Sequence, residues 1–590
     1  MRLTLSVLLS FVLIVSCKTN PKSTEKVGNG LFSLFVEDSN IEPFFSDREG
    51  VVAKNGMVAS AHPEASKVGV EIMKKGGNAI DAAVATHFAL VVVHPFAGNL
   101  GGGGFAVVRT KDGKAYSLDF REKAPLAADR DMYLDEDGNV IEGLSTLGHL
   151  ASGVPGSVDG MVELHEKFGS LLWQTLLQPA IDLAEKGVIL TEREALGLKN
   201  YKKTFQEVNG ANTPYFMKPD GSDWATGDNI IQADLGKTLR LIQKEGREGF
   251  YAGKVADQLV AEMEKGGGII THQDLQKYKS AWRTPLVAGY KKNHTIISMP
   301  PSSSGGVALM QLMRFIEPYP IGEWGWHSDS TAQVMIEAER RVYADRAKWL
   351  GDQDFVKVPV QGLISRSYLE KRWKDFSFEK ATDSKDIDGG NVPGYESDET
   401  THYSVVDKEG NAVSITTTLN GAFGSKVIVD GAGFLMNNEM DDFSVKAGVP
   451  NMFGLIGNKA NEIQPEKRML SSMTPTIVEK DGKFLMAVGT PGGSTIITSV
   501  FQTIVNVVEH KMNMQQSVNA LKFHHQWLPD RIVYERGAFT DKTLQNLLKK
   551  GYKMEAMKGT LGRMDCVMLL PDGRLLGASD PRSDNTSVGY

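Results

Sequence analysis

A run of hydroxyl-bearing residues in the second half of the chain constrains the fold more than any other feature. Residues 400–407 read Thr-Thr-His-Tyr-Ser-Val-Val-Asp, and residues 411–419 form a second β-rich stretch. The three residues between them end in glycine, which is typical of a hairpin loop with a left-handed bulge position. If the strand ends that flank this loop face each other, Thr400 faces Thr418, with Cβ atoms about 4.5 to 5.5 Å apart. The sequence therefore predicts an antiparallel pair that brings two threonine hydroxyls together.

The Thr400 hydroxyl becomes a useful nucleophile only if a nearby base takes its proton. An α-amino group, with an ordinary pKa of about 7.7 to 8.0, suits that role better than a lysine near 10.4. A cut before Thr400 would place nucleophile and base on one residue. Residues 380–399 favour the cut, because this acidic, glycine-containing stretch has no apolar face and predicts a mobile segment. The alternative is a half-buried, hydroxyl-rich strand without chemistry.

The N-terminal residues predict an export signal. A positive residue is followed by the apolar run 3–15, which is too short to span a membrane as a helix. The ending Ile-Val-Ser-Cys resembles the bacterial lipoprotein box, in which the cysteine, here Cys17, becomes the lipidated N-terminus. The alternative is an ordinary cleaved signal with an incidental cysteine. We expect a signal over 1–17, a flexible tether over 18–45 and an exported cell-envelope lipoprotein on the periplasmic side. Since Cys566 is the only other cysteine, packing must hold the fold.

Composition and motif order argue against several classes of ligand. A net charge of -7 and the absence of a Lys/Arg-rich block disfavour nucleic-acid binding. The run Gly101–Gly104 lies between a predicted helix and a predicted strand, which is the reverse of the order in a dinucleotide loop. The adjacent His524 and His525 would point to opposite faces of a strand, a poor geometry for shared metal ligation. We therefore expect no cofactor and no metal.

The rest of the chain predicts helices around β-strands. Residues 79–93 are apolar on all sides, so we expect a core helix. The stretch 155–277 is mostly helical in pattern. Further predicted elements are strands at 57–60, 105–108 and 116–120 and helices at 63–76 and 333–349.

From about Gly56 to Tyr590 the chain resembles the gamma-glutamyltranspeptidases, members of the N-terminal-nucleophile hydrolases. The resemblance rests on ordered motifs: Gly76-Gly77-Asn78-Ala79, Val93-His94-Pro95, Asp119-Phe120-Arg121-Glu122-Lys123-Ala124-Pro125, Pro301-Ser302-Ser303-Ser304-Gly305-Gly306, Thr400-Thr401-His402-Tyr403-Ser404, Asn437-Asn438-Glu439-Met440-Asp441-Asp442-Phe443, Ser471-Ser472-Met473, Pro491-Gly492-Gly493-Ser494 and Ser579-Asp580-Pro581-Arg582.

The resemblance implies an α+β fold, a four-layer αββα sandwich of the N-terminal-nucleophile hydrolase type. It also implies a precursor that cuts itself between Glu399 and Thr400. The large chain, 46–399, and the small chain, 400–590, would stay together as a heterodimer and build the fold jointly. In the cut, the Thr400 hydroxyl attacks the Glu399 carbonyl carbon, and water opens the resulting ester.

The resemblance further implies a site for a γ-glutamyl group, whose α-carboxylate needs a cation with donors and whose α-ammonium needs carboxylates. It assigns the carboxylate to Arg121, Ser471 and Ser472, and the ammonium to Asn420, Glu439 and Asp442. It assigns the oxyanion hole to the backbone of Gly492 and Gly493 and the position beside the nucleophile to Thr418.

Each of these residues also has a simpler interpretation. Arg121 and Asp442 could form a surface ion pair, and Ser471-Ser472 could be a loop or a helix cap. Pro491-Gly492-Gly493 could be a plain turn. We expect His402 to support the site rather than act as a base. Phe453 stands where some members have a tyrosine that closes a loop over the substrate, so closure through that hydroxyl is not expected here.

The sequence thus predicts a gamma-glutamyltransferase and glutathione hydrolase. A γ-glutamyl ester would form on Thr400, from glutathione and other γ-glutamyl compounds, and pass to water or to an amino acid or peptide acceptor. One rival is a cephalosporin or glutaryl acylase on the same fold, which need not retain the full set of zwitterion-binding residues. Another is an unprocessed envelope binding protein, which should have lost the nucleophile or the oxyanion glycines.

Overall fold

The computed structural model describes residues 45–210, 216–387 and 400–590. The predicted lipidation site Cys17 and the residue before the predicted cut, Glu399, lie outside these ranges, as do the predicted signal and nearly all of the predicted tether. Within the described ranges, none of the helices combines the length and the apolar character needed to cross a bilayer.

The strands are numbered in chain order: β1 Val51–Ala53, β2 Gly56–Ser60, β3 Gly103–Arg109, β4 Ala115–Asp119, β5 Val188–Ile189, β6 Asn229–Ile230, β7 Ala281–Arg283, β8 Leu286–Tyr290, β9 His294–Ser298, β10 Thr401–Asp407, β11 Ala412–Thr418, β12 Thr476–Lys480, β13 Lys483–Val488, β14 Phe523–His524, β15 Ile532–Glu535, β16 Met554–Met557, β17 Asp565–Leu569, β18 Leu575–Ser579 and β19 Thr586–Gly589.

The helices are α1 Pro63–Lys74, α2 Ala79–Val93, α3 Ser157–Phe168, α4 Trp173–Lys186, α5 Glu192–Asn209, α6 Ala233–Glu245, α7 Glu248–Tyr251, α8 Gly253–Gly266, α9 His272–Lys277, α10 Gly305–Ile316, α11 Ile321–Trp324, α12 Asp329–Trp349, α13 Val360–Leu363, α14 Arg366–Arg372, α15 Thr495–Val508, α16 Met514–Asn519 and α17 Asp541–Lys549.

Two seven-stranded sheets pack against each other and form the middle of the molecule. One has the order β1-β18-β17-β13-β12-β9-β8, and the other has the order β19-β2-β10-β11-β3-β4-β7. Apolar side chains from both sheets, such as Val107 and Ile477, meet in the layer between them. Helices α1 to α3 cover the second sheet, α10 and α16 lie on the first, and α12 and α15 pack against α10. This arrangement confirms the predicted α+β fold with four αββα layers.

Helix α2 shows how sequence sets the position of a layer. Its residues are apolar on all sides, and all of them are buried, as predicted. At its start, Asn78 accepts hydrogen bonds from the backbone of Ile80 and Asp81, while the Asp81 side chain accepts from the Asn78 backbone. This capping box satisfies N–H groups that the first helical turn leaves unpaired.

The predicted β-hairpin is present in the predicted register. Thr401 pairs with Thr417, and the pairing continues to Val406 opposite Ala412. The connecting loop turns at Gly410, whose φ of 86° lies in the left-handed region that glycine adopts without strain. The register places Thr400 opposite Thr418 at the open end of the hairpin. The hairpin is central in its sheet, because β2 pairs with the other edge of β10 and β3 pairs with the other edge of β11.

Candidate active site

Thr400 and Thr418 lie together at the start of the central hairpin. Both side chains are buried, and the Thr400 hydroxyl donates to Thr418 Oγ1 over 3.5 Å. The backbone N–H of Asn420 also donates to Thr418 Oγ1, over 2.8 Å. Thr418 is thereby fixed by the turn that follows β11. The pair of hydroxyls that the hairpin register predicts is therefore formed.

One cavity of about 270 Å³ collects nearly all of the predicted site residues. The predicted residues that line it are Arg121, Thr400, Thr418, Asn420, Glu439, Asp442, Ser471, Ser472 and Gly493. Gly492 does not line the cavity but precedes Gly493 in the same loop. The rest of the wall is mainly apolar, from Phe453, Leu455, Met473 and Ile496. The sequence analysis did not predict the last three of these, because isolated apolar residues read as core.

Arg121 lines the cavity and is buried between carboxylates. Its Nη1 donates to Glu439 Oε1, and its Nη2 donates to Asp442 Oδ2. Glu122 Oε2 lies 3.7 Å from Nη1. The side chain of Arg121 is only 1% exposed, so the alternative of a surface ion pair is wrong. The groups assigned to opposite ends of a zwitterion are in direct contact with each other here, as buried charges require in the absence of another partner.

The charges in this cluster do not balance, and the pKa values reflect it. Burial raises the pKa of Glu439 well above its usual range and also raises that of Asp442, although the Arg121 charge opposes both shifts. Burial raises the pKa of Glu122 to about 7. Burial acts to lower the pKa of Arg121, but the carboxylates outweigh it and the pKa is raised. Arg121 thus lies beside three buried carboxyl groups, and the Arg346 charge also acts on Asp442. A further cation in the cavity would still find acceptors.

The glycines of the predicted oxyanion loop adopt backbone conformations that disfavour a side chain. The φ angles of Gly492 and Gly493 are 138° and 52°. The carbonyl of Gly492 accepts from the N–H and hydroxyl of Thr495, and that of Gly493 accepts from the Ile496 N–H. Within the described residues, neither glycine N–H donates to another group. Of these two glycines, only Gly493 lines the cavity.

The two serines, Ser471 and Ser472, lie on a loop that is hydrogen-bonded to Ser304 and Arg346. The Ser471 carbonyl accepts from the N–H and the hydroxyl of Ser304. The Ser472 hydroxyl oxygen accepts from Arg346 Nη2 over 3.2 Å. Sequence analysis missed Arg346, which lies in α12 among several other charged residues. No feature of the sequence distinguishes it from these neighbours.

Asn420 and the loop at 450–453 close another side of the cavity. Asn420 has a φ of 73°, and its Nδ2 donates to the Asn438 carbonyl over 3.0 Å. Asn451 Nδ2 donates to Asp442 Oδ1 over 3.0 Å, and Asn451 Oδ1 accepts from the Phe453 N–H. The Phe453 ring is buried against the cavity. An amide contact to Asp442 and an aromatic cover thus hold this loop, where some family members use a tyrosine hydroxyl.

The histidines lie outside the cavity. His402 is fully buried and bonds to Thr416 Oγ1 and Ser404 Oγ at 2.9 and 3.0 Å. Burial lowers its pKa to about 3, so it is neutral at ordinary pH. His524 and His525 contact different partners, Ser494 and Asp530. In the described part of the chain, no cluster of three or more His, Cys, Asp or Glu residues could hold a metal ion.

Comparison with known proteins gives one consistent family. The family model described as gamma-glutamyltranspeptidase matches residues 65–590. The glutathione hydrolase proenzyme of Escherichia coli K12 is 47% identical over 92% of this chain and 93% of its own length. That of Pseudomonas sp. A14 is 48% identical over 92% of this chain and 95% of its own length. Among solved structures, a cephalosporin acylase from Bacillus halodurans superposes with a TM-score of 0.82, covering 94% of this chain and 99% of its own, at 28% identity.

Proposed function

The chain belongs to the gamma-glutamyltranspeptidase family, and from that premise we propose that it is a gamma-glutamyltransferase and glutathione hydrolase. One observation carries the proposal. The Thr400–Thr418 pair, a glycine whose N–H has no partner among the described residues, and a cluster of one cation and two carboxyls line the same cavity. The first two can act on a carbonyl, and the third can hold an amino acid by its two charges.

The proposed reaction begins with release of the Thr400 α-amine by a cut after Glu399. In turnover, that amine takes the proton of the Thr400 hydroxyl, and Oγ bonds to the γ-carbonyl carbon of the substrate. The N–H groups of Gly492 and Gly493 stabilise the negative charge on the carbonyl oxygen. The C–N bond then breaks, and the leaving amine receives the proton. The product of this half-reaction is a γ-glutamyl ester on Thr400.

In the second half-reaction, water or the amine of an amino acid or peptide attacks the ester carbonyl carbon. The Thr400 α-amine takes a proton from the attacking group and returns it to Oγ as the ester bond breaks. Water yields glutamate, and an acceptor amine yields a new γ-glutamyl compound. The cavity needs no cofactor for either half-reaction, since proton transfer and charge stabilisation are supplied by Thr400 and the backbone.

Substrate binding follows from exchange of partners in the charged cluster. The substrate α-carboxylate would replace the carboxylates that now contact Arg121, and its α-ammonium would pair with Glu439 and Asp442. Each buried charge then keeps a partner of opposite sign. The serine hydroxyls at 471 and 472 and the Asn420 side chain supply the remaining hydrogen bonds.

The order of strands supports a heterodimer of the two fragments. In the second sheet, β10, β11 and β19 belong to the small chain, and β2 lies between β19 and β10. In the first sheet, β1 and the β8–β9 pair, from the large chain, flank four strands of the small chain. Separation would break ladder hydrogen bonds at several strand pairs, so we expect the fragments to stay associated after the cut.

Two measurements test the proposal. On a denaturing gel, wild-type protein should run as two fragments, the second beginning at Thr400, whereas Thr400→Ala should run as one chain. The wild-type enzyme should release glutamate from glutathione much faster than it hydrolyses a glutaryl amide. The opposite preference would favour the acylase alternative, and a single stable wild-type chain would favour the binding-protein alternative.

We also propose that the mature protein is exported and anchored through a lipid on Cys17. The support is the lipoprotein-like ending of the predicted signal, Ile-Val-Ser-Cys. A single acyl group gives only marginal membrane binding, so a stable anchor implies more than one chain on the mature N-terminus. Wild-type protein should fractionate with membranes and enter the detergent phase. Cys17→Ser should abolish both, whereas release of wild-type protein into the soluble fraction would contradict the anchor.

A further inference from the structure

Helix α12 lies behind the cavity and contacts both loops that carry the proposed hydrogen-bond donors. Tyr343 and Arg346 are three residues apart in this helix, so they project from the same face. Both are buried. Tyr343 reaches the loop of Gly492 and Gly493, and Arg346 reaches the loop of the two serines.

Tyr343 acts on the oxyanion loop through its hydroxyl. That hydroxyl donates to the backbone carbonyl of Ser494, the residue directly after Gly493. The Ser494 side chain is also fixed, because its Oγ lies 2.9 Å from Gln526 Oε1 and 3.2 Å from His524 Nε2. The carbonyls at 492, 493 and 494 therefore all have donors on the protein side. Within the described residues, the backbone N–H groups of Gly492, Gly493 and Ser494 have no hydrogen-bond acceptor.

Arg346 acts on the serine loop through its guanidinium. Its Nη2 donates to Ser472 Oγ, and its Nε donates to Ser304 Oγ over 3.0 Å. Since the Ser304 hydroxyl donates to the Ser471 carbonyl over 2.6 Å, Arg346 contacts one serine directly and the other through Ser304. A hydroxyl that accepts from a guanidinium keeps its own proton for another acceptor. The Ser472 O–H is thus free to donate to a substrate carboxylate.

We propose that Tyr343 and Arg346 are positioning residues for the reaction. Tyr343 holds the glycine N–H groups where the oxyanion forms, and Arg346 orients the Ser472 hydroxyl toward the substrate carboxylate. The inference rests on the proposed function and assigns one part of it to each side chain, the oxyanion loop to Tyr343 and the serine loop to Arg346. Tyr343 serves the transition state, so its loss should lower kcat. Arg346 serves binding, so its loss should raise KM.

The test compares purified Tyr343→Phe and Arg346→Lys with a matched control. The control is Tyr552→Phe, which removes a hydroxyl from another buried tyrosine. The Tyr552 hydroxyl donates to Glu337, which lies in α12, over 3.0 Å. Gels first establish that each variant is cut into its two fragments. Tyr343→Phe should then lower kcat about 10- to 100-fold with KM little changed, because small displacements of a catalytic group have effects of that size. Arg346→Lys should raise KM about tenfold for both γ-glutamyl and glutaryl substrates, with kcat little changed. Tyr552→Phe should match the wild type.

Hydrogen exchange separates failure of this inference from failure of the proposed function, because it needs no activity. The backbone amides of Thr495 and Ile496, which donate to the carbonyls of Gly492 and Gly493, should exchange about fivefold faster in Tyr343→Phe than in wild type, and at the wild-type rate in Tyr552→Phe. Equal exchange in all three proteins would overturn the role of Tyr343, whatever the enzyme acts on. Equal losses of kcat in the two tyrosine variants would show a general effect on α12 and would also overturn it. An unchanged KM in Arg346→Lys would overturn the role of Arg346.

Discussion

Replacing Asp442 by asparagine separates the proposed ammonium site from a purely structural ion pair. Asp442 is buried, contacts Arg121 through Oδ2 and accepts from Asn451 through Oδ1. Asparagine keeps the size of the side chain and one oxygen but removes the charge. Arg121 retains Glu439 as its partner, so the substitution leaves the guanidinium paired.

The expected loss for a γ-glutamyl substrate follows from one charge-assisted hydrogen bond. Such bonds contribute about 1.5 to 3 kcal/mol, which corresponds to a roughly 10- to 150-fold fall in kcat/KM. The loss should lie mainly in KM, because the α-ammonium is far from the bond that breaks and binds alike in the ground and transition states.

A glutaryl amide should respond in the opposite direction. It has the same carboxylate but no ammonium, so in the wild type its binding to Arg121 leaves Glu439 or Asp442 without a cation. An unpaired buried carboxylate is strongly unfavourable. Removing the Asp442 charge relieves this cost, and kcat/KM for the glutaryl amide should stay constant or rise.

The assay measures kcat/KM for both amides, on protein that a gel shows to be cut. Asp354→Asn is the control, because Asp354 also pairs with an arginine, Arg283, but lies outside the cavity. In this control, kcat/KM for each of the two amides should stay at its wild-type value. Equal losses for the two substrates in Asp442→Asn would refute the reasoning, because they would show that Asp442 only supports the fold.

Three further predictions follow from the geometry around the cavity. Thr418→Val should lower kcat about 2- to 12-fold, since a neutral hydrogen bond to Thr400 contributes about 0.5 to 1.5 kcal/mol. A variant with the kcat of the wild type would show that this hydrogen bond does not contribute to catalysis. Asn451→Ala should free the loop of Phe453, raise KM and speed proteolysis at 450–457; an unchanged cleavage rate would show that Asn451 does not hold the loop. The pKa of His402 is about 3 in the fold and 6.5 in its ordinary state, so its stabilising effect exists above pH 6.5 and is lost as pH falls. Between pH 7 and 5 this loss is about 2 kcal/mol, and His402→Gln should reduce the fall in the free energy of unfolding over that pH range by the same amount, as measured by urea titration; an unchanged pH dependence would contradict it.

The hairpin and the core helix could be predicted because their determinants are local. Alternation, a glycine at the last loop position and a symmetric register place Thr400 opposite Thr418 without any tertiary information. The apolar run of α2 is likewise stable only when the whole helix is buried in the core. These two features were found from residue patterns alone, and the structure confirms both.

The contacts within the charged cluster could not be predicted, because they depend on how distant segments meet. Arg121 and Glu439 are more than three hundred positions apart, and the family resemblance assigned them to opposite ends of a substrate. Their direct pairing gives each of these buried charges a partner of opposite sign. Tyr343 and Arg346 were missed for a related reason. A polar residue in a buried helix has no local feature that shows which loop it will contact.

The position of Thr400 also reconciles its two proposed roles, as the start of a new chain and as the nucleophile. New chain ends usually fray, whereas a nucleophile must be held to within a fraction of an ångström. Thr400 directly precedes β10, so a cut before it removes none of the ladder hydrogen bonds that begin at Thr401. From Tyr403 onward the strand is paired on both edges, with β11 and with β2. A strand at the edge of the sheet would have one partner, and its first residue would be far more mobile after a cut. The central place of β10 therefore allows the same residue to be both a free amine and a fixed hydroxyl.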